Sequence, residues 1–195
     1  MRTVTYGAAC SLDGFITGPG GALDWMHFTQ DVIDVMTDYM KGVDTILMGR
    51  KTWQVAQESA ADGSQPSSDG GLPEMQTYVF SRTLESLADP NANLVRDDAA
   101  GFVRKLKKQS GGGICLMGGG ELARSLFDAD LIDEVGLNIH PVLLGGGVSM
   151  FPTPGPHVRL ELLDSRVISG GCVLANFRVP HRSVIREELP GLPST

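Results

Sequence analysis

The sequence predicts a single three-layer α/β domain with a mixed, mostly parallel central sheet, and three observations carry that prediction. Over the first two thirds of the chain short β-type runs alternate with helix-period runs, the pattern of parallel strands joined by crossover helices. The last third changes to consecutive strand-like runs around Ser169-Gly170-Gly171, which read as an antiparallel hairpin. With 195 residues, 42% of them hydrophobic, the chain can bury one sizeable core without metal or disulfide staples. The domain is expected over residues 1–180, followed by a polar, proline-containing tail over 181–195.

The elements follow in order. Residues 3–10 alternate, with Val4, Tyr6, Ala8 and Cys10 on one side, and form the first strand. Gly14, Gly18, Gly20 and Gly21 then make a mobile loop. Val32, Val35, Met36, Tyr39 and Met40 recur at helical spacing over 30–41, and Gly42 stops that helix. A second strand over 43–48 runs into Gly49, and a helix occupies about 51–58. Ser, Gly, Asp, Pro and Ala dominate 59–73, which reads as a surface loop. Strand 77–80 is followed by helix 99–109, with Phe102, Val103 and Leu106 on its core side. Residues 114–117 are apolar and bounded by glycine triplets, as suits a strand buried on both faces. A helix over 121–127 pairs Leu122 with Leu126. Val135, Leu137 and Ile139 alternate, and runs 160–168 and 172–179 supply the hairpin strands.

Composition narrows the function. The 25 glycines lack any three-residue period and sit among ample aliphatic residues, so they are local turn devices and not the mark of a fibrous or low-complexity chain. A formal charge of −7 disfavours nucleic acid and anionic membrane as partners and favours a small molecule. Cys10, Cys115 and Cys172 are too widely spaced for a metal knuckle and read as buried thiols. His27, His140, His157 and His181 show no ligand spacing, so no metal site is expected. Neither a signal-peptide core nor an 18-residue apolar run is present, and a cytoplasmic protein is expected.

Three segments at the ends of strands carry candidate chemistry. In Met48-Gly49-Arg50-Lys51-Thr52-Trp53 a strand stops at glycine and a helix starts with two cations and a hydroxyl. Cations oppose the positive end of a helix, so an anion that neutralises Arg50 and Lys51 is a reasonable inference, against the plain alternative of a solvated surface pair. In Met117-Gly118-Gly119-Gly120-Glu121-Leu122-Ala123, Gly118, Gly120 and Ala123 satisfy the G-x-G-x-x-A fingerprint, but the acid a dinucleotide fold wants about twenty positions later is missing. What remains is a loop where bare backbone can approach a phosphate, or a tight structural turn. Ser81 and Arg82 end a third strand with a hydroxyl and a guanidinium. Ligands in open α/β sheets bind beyond the carboxyl ends of strands, so Arg50, Lys51 and Arg82 could converge there on a phosphorylated nucleotide.

The order and spacing of "MGRKTW", "VFSRTL" and "MGGGEL" resemble the dihydrofolate reductase-like superfamily over roughly residues 2 to 180. "SLDGFI" at 11–16, Asp24-Trp25, the run from Ala129 to Glu134 and "PVLLGGG" at 141–147 look like its RibD C-terminal reductase branch. The resemblance implies NADPH as cofactor, a small-molecule substrate and a homodimer. By the same resemblance Gly49, Arg50, Lys51, Thr52, Ser81 and Arg82 would hold the adenosine half, with Arg50 and Arg82 nearest the 2′-phosphate. Met117, Gly118, Gly119, Gly120, Glu121 and Leu122 would cover pyrophosphate and ribose, with a cis peptide between the first two glycines. Ala9 and Ile16 would line the nicotinamide, and 17–24 would close over it.

The implied reaction is hydride transfer to a pteridine- or pyrimidine-related ring, with reduction of 5-amino-6-(5-phosphoribosylamino)uracil in riboflavin biosynthesis the named case. Dihydrofolate reduction and a nucleotide-binding protein without catalysis are the alternatives. Folate reductases carry an acid where this chain has Gln30, with Asp31 one residue on, and an aromatic where it has Ala123; riboflavin-pathway reductases carry a base where it has Phe15. Asp31 and Glu121 are the catalytic candidates, though each is also a favourable first-turn helix acid. Asp13 is a turn residue or a substrate contact, and Trp25 is core or the wall of a substrate pocket.

Overall fold

The computed structural model describes residues 1–61, 75–151 and 157–181. Ten strands and four α-helices follow the order β1 (Val4–Ser11), β2 (Phe15–Thr17), α1 (Gln30–Met40), β3 (Val43–Gly49), α2 (Arg50–Ala61), β4 (Gln76–Phe80), β5 (Ala92–Val95), α3 (Ala99–Lys107), β6 (Gly113–Met117), α4 (Gly120–Asp128), β7 (Glu134–His140), β8 (Val148–Ser149), β9 (Glu161–Val167) and β10 (Val173–Arg178). Eight strands form one sheet in the order β5-β4-β3-β6-β1-β7-β10-β9. The pairs from β5 through β7 are parallel, and β10 joins β7 and β9 antiparallel. This is the mixed, mostly parallel sheet the sequence predicts.

Alternation along the strands divides the apolar residues between two faces. Val4, Tyr6, Leu47, Ile114 and Leu116 pack with Val103 and Leu106 of α3 and Leu126 of α4 in the larger core. Ile46, Met48 and Val79 face the other way, toward Met40 of α1 and Trp53 of α2. β6 is the strand buried on both faces, with Ile114 and Leu116 wholly inside. The helices start where the chemistry favours it. Thr29 caps α1 by accepting from the Val32 N–H, and Asp98 caps α3 by accepting from the N–H groups of Ala100 and Gly101.

Two parts differ from expectation. The stretch after Ser11 is not wholly loop: β2 pairs antiparallel with β8 in a small second sheet, and the Met150 N–H donates to the Gly14 carbonyl. The glycine run 145–147 therefore has a job, since the carbonyl of Thr17 occupies the space a Cβ at Gly147 would need. β5 also lies outside the sequence reading, adding a parallel strand beside β4. The loop expected over 59–73 falls largely outside the described residues, as does most of the tail. Among the described residues no helix is long and apolar enough to cross a membrane.

At the end of the sheet away from the strand carboxyl termini, buried charge is fully paired. Lys107 Nζ lies 2.6 Å and 2.7 Å from the Asp133 carboxylate oxygens and 3.1 Å from the Leu131 carbonyl. Asp133 also accepts from the Val4 N–H at 2.7 Å and meets His181 Nε2 at 2.8 Å. Arg2, also buried, bonds to Asp44, Thr45 and the Gly112 carbonyl. Removing one member of such a group would strand a buried charge, which fixes the ends of β1, β3 and β7 relative to α3.

Candidate active site

Because β4, β3, β6, β1 and β7 run parallel, the segments that follow them emerge at one edge of the sheet. The register sets Gly49 beside Phe80, Leu47 beside Leu116, Gly7 beside Met117 and Ala9 beside Asn138. The three sequence segments are thus neighbours in space. The contact between two of them is close: a Cβ at Gly118 would lie 3.1 Å from Thr52 Oγ1 and Cγ2, and one at Gly119 would lie 3.6 Å from Thr52 Oγ1 and 3.7 Å from the Gly49 nitrogen. Gly118 and Gly119 adopt φ +58° and +71°, a left-handed pair that L side chains resist. That pair corrects one implied feature. No peptide bond among the described residues is cis, and the loop makes its reversal with two positive-φ glycines joined in trans.

The same edge gathers cations and helix-start N–H groups. Gly119 is the N-cap of α4 and can offer no side-chain acceptor, so the first N–H groups of that helix point outward without a side-chain cap. α2 has no acid in its first turn to offset Arg50 and Lys51. Arg50 donates to Gln54 Oε1 at 3.1 Å, while Lys51 and Arg82 are exposed. Ser81 is buried, and its Oγ accepts from the N–H groups of Thr83 at 3.2 Å and Leu84 at 3.0 Å. The hydroxyl therefore holds the turn that carries Arg82. Met117 and Leu122 are half-buried beside the glycines, and Glu121 is exposed in the first turn of α4.

On the α1 side of the sheet lies a cleft. Gly7, Ala9, Gly136 and Asn138 belong to strands with neighbours on both sides, yet all four are only half-buried. α1 does not close over them: Val32 alone is buried on it, and Met36 and Tyr39 keep 46% and 39% of their surface. Glycine and alanine give this cleft a flat floor. Ile16, on β2, packs against the larger core.

Asp31, Asp13 and Trp25 take up definite partners. Ser169 donates to the Asp31 carboxylate from both its N–H and its hydroxyl, which pulls the carboxyl below its ordinary value and ties the start of α1 to the β9–β10 turn. Asp13 accepts from Ser11 Oγ at 2.6 Å and from the N–H groups of Leu144 at 3.1 Å and Gly145 at 2.8 Å. The hydroxyl of Ser11 and those N–H groups lower its pKa and knit the β1–β2 turn to the loop before β8. Trp25 is buried, and its ring meets His140 edge-on with centroids 5.3 Å apart.

Asn138 was not singled out in the sequence, and His140 was read there only as a histidine without ligand spacing. Both lie on the α1 side of β7; His140 is buried, and Nδ1 sits 3.5 Å from the His27 nitrogen and 3.5 Å from Cys172 Sγ. Burial, with His27 close by, lowers the His140 pKa. The signal was available in Leu137-Asn138-Ile139-His140, where two polar residues alternate with apolar ones on a strand expected to be internal.

Comparison with known proteins places this geometry. The model of the RibD C-terminal domain matches residues 2–174. Two Bacillus subtilis (strain 168) proteins are similar: YyaP, 34% identical over 177 residues covering 89% of this chain and 93% of its own, and YwjB, 31% identical over 166 residues covering 85% and 91%. A crystal structure described as a putative riboflavin biosynthesis protein from Shewanella sp. PV-4 superposes with TM-score 0.78 at 25% identity, over 92% of this chain and all of that one. A pyrimidine reductase-like protein from Corynebacterium diphtheriae shares the fold, with TM-score 0.66 at 13% identity and 92% of both chains covered. The chain belongs to the RibD C-terminal domain family.

Proposed function

We propose that the chain is an NADPH-dependent reductase of the RibD C-terminal type, acting on a pyrimidine- or pteridine-related ring, with 5-amino-6-(5-phosphoribosylamino)uracil as the first substrate to test. The observation that carries this reading is the packing of Gly118 and Gly119 against Thr52 and Gly49 at the uncapped start of α4. Bare backbone there leaves N–H groups free for a pyrophosphate, and Arg50, Lys51 and Arg82 emerge from the adjoining strand ends with charge for a 2′-phosphate. NADPH, when bound, supplies the hydride. The residues of the chain orient and enclose: Ala9 offers a small surface for a flat ring, Ile16 and Trp25 exclude water, and α1 and the β7 strand end bound the substrate side. Asp31, held by Ser169, is read as a positioning residue, and Glu121 stays a candidate for contact with the ribose.

The similarity to the Shewanella protein supports the riboflavin pathway. A cytoplasmic location, where NADPH is available, is part of the reading. So is a homodimer, supported by β9, whose residues are exposed on both faces with Leu162 at 59% and Val167 at 73%.

Titration of the protein with NADPH and NADH tests the cofactor. Arg50→Gln should weaken NADPH by roughly ten- to a hundredfold, the loss of one charge-assisted bond of roughly 1.5–3 kcal/mol, and leave NADH nearly unchanged. Equal losses for the two, or no binding of either by the parent protein, would overturn the assignment. NADPH oxidation measured side by side with the ribosylaminouracil phosphate and dihydrofolate then decides the substrate, and turnover of dihydrofolate alone would refute the riboflavin reading.

A further inference from the structure

Three buried side-chain atoms among the described residues have no hydrogen-bond partner: Thr17 Oγ1, Asn138 Oδ1 and His140 Nε2. The last two stand on one face of one strand, two residues apart, on the side of the cleft. Leaving a buried polar atom unpaired is destabilising, so two together at the edge of the cleft call for a partner that the described residues do not supply.

The tautomer of His140 follows from its neighbours. The backbone N–H of His27 points at Nδ1, and the thiol of Cys172, whose pKa burial raises, lies 3.5 Å from the same nitrogen. Because the His27 N–H donates to Nδ1, that nitrogen is the acceptor and Nε2 carries the proton, and the Cys172 thiol beside it then donates to Nδ1 as well. Burial and His27 keep the ring neutral, which suits it to a neutral acceptor and not to a carboxylate or phosphate. The strand neighbours of Asn138 are Ala9 on β1 and Leu174 on β10, and neither has a side-chain polar group to offer. Beside it, Gly7 and Gly136 are paired in register and leave the floor flat. Residues two apart on a strand are roughly 6.6 Å apart, within reach of two polar atoms on the edge of one substituted ring.

We propose that Asn138 and His140 are specificity-determining residues for the ring the enzyme reduces: His140 donates from Nε2 to a carbonyl oxygen or ring nitrogen, and the Asn138 carboxamide accepts from a ring N–H. The ring lies flat on Gly7, Ala9 and Gly136. Since Trp25 covers His140, the segment before α1 shifts as the ring enters. The inference takes its reacting partner from the reductase reading, but the two hydrogen bonds can be measured without turnover.

The probes are 5,6-diaminouracil and its 1,3-dimethyl derivative, which lacks both ring N–H donors, titrated calorimetrically into the full chain with and without saturating NADPH. The parent protein should bind the first at least tenfold more tightly than the second. Asn138→Leu should erase that difference, Asn138→Asp should keep it, and His140→Phe should weaken both probes about tenfold, with NADPH affinity unchanged in all three. In protein labelled with 15N-histidine, the Nε2 resonance of His140 should move when the probe is added, a readout independent of any variant that folds poorly. Equal binding of the two probes, no binding of either, or an Nε2 resonance indifferent to a bound probe, as when a buried water alone meets it, would overturn the proposal. Failure of NADPH to bind while the probes discriminate would instead defeat the reductase reading and leave these hydrogen bonds standing.

Discussion

An alanine at Gly118 must hold φ near +58° and bring its Cβ to 3.1 Å from Thr52, so backbone strain and a clash act together. The left-handed conformation alone costs an L residue about 1–2 kcal/mol. Gly118→Ala should therefore lower the melting temperature and weaken NADPH, whereas alanine at Gly49, where a Cβ meets nothing within 4 Å, should cost less; differential scanning calorimetry with a parallel NADPH titration separates them. His140 gives a pH dependence of definite sign. Its folded pKa lies below the ordinary 6.5, so the unfolded chain takes up a proton first, and the stability its neutral form contributes is complete above 6.5 and lost as pH falls toward the folded value. Melting temperature should decline from pH 7 to 5.5, and His140→Phe should flatten that decline. At this scale the sequence was legible where a residue type has one dominant use. Glycine beside glycine at a strand end, and cations at a helix start, marked the segments that the fold brings together at one edge. The partners of Asp31 and Asp13 were not legible, because Ser169 and Gly145 lie 138 and 132 positions away and only the closed fold brings them together.

Helices and long strands declared themselves through period, and the short ones did not. β6 stood out as an unbroken apolar run between glycines, and α3 through Phe102, Val103 and Leu106 at helical spacing. β2, β5 and β8 have three, four and two residues, too few for alternation to register, and their pairing depends on contacts far along the chain. The consequence for α1 is specific. It is fastened at its start by Asp31 and Ser169 and leaves much of its apolar side uncovered, so Asp31→Ala should loosen the helix without touching the edge that carries Gly118 and Arg50. Faster amide exchange over Gln30–Met40 with NADPH affinity retained is the expected result, measured by hydrogen exchange and fluorescence titration. A large loss of the hydride-transfer step in that variant, with exchange unchanged, would return Asp31 to the catalytic candidates.

For the whole molecule, the sheet has two unlike edges. β5 is flanked by turns and carries Asn93 outward, whereas β9 offers Leu162 and Val167 on the face it shares with Val173 and Phe177 of β10. An edge strand that exposes Leu162, Leu163 and Val167 is an aggregation hazard unless something covers it. Leu162→Glu combined with Val167→Glu should convert a dimer to monomer in light scattering, with NADPH binding retained, since β9 stands at the opposite margin from β3 and β4. An unchanged mass would remove β9 from the interface. The carboxylate of Asp133 has a practical consequence of its own. It holds Val4 near the beginning of the described chain and His181 at its close, at the sheet end remote from Gly118 and Arg50. A fluorophore or surface tether attached beyond either point would start four to five residues along the strands from Gly118 and Arg50, roughly 15 Å at 3.3 Å per residue. Immobilised or labelled protein should then report cofactor affinity free of interference from its own handle.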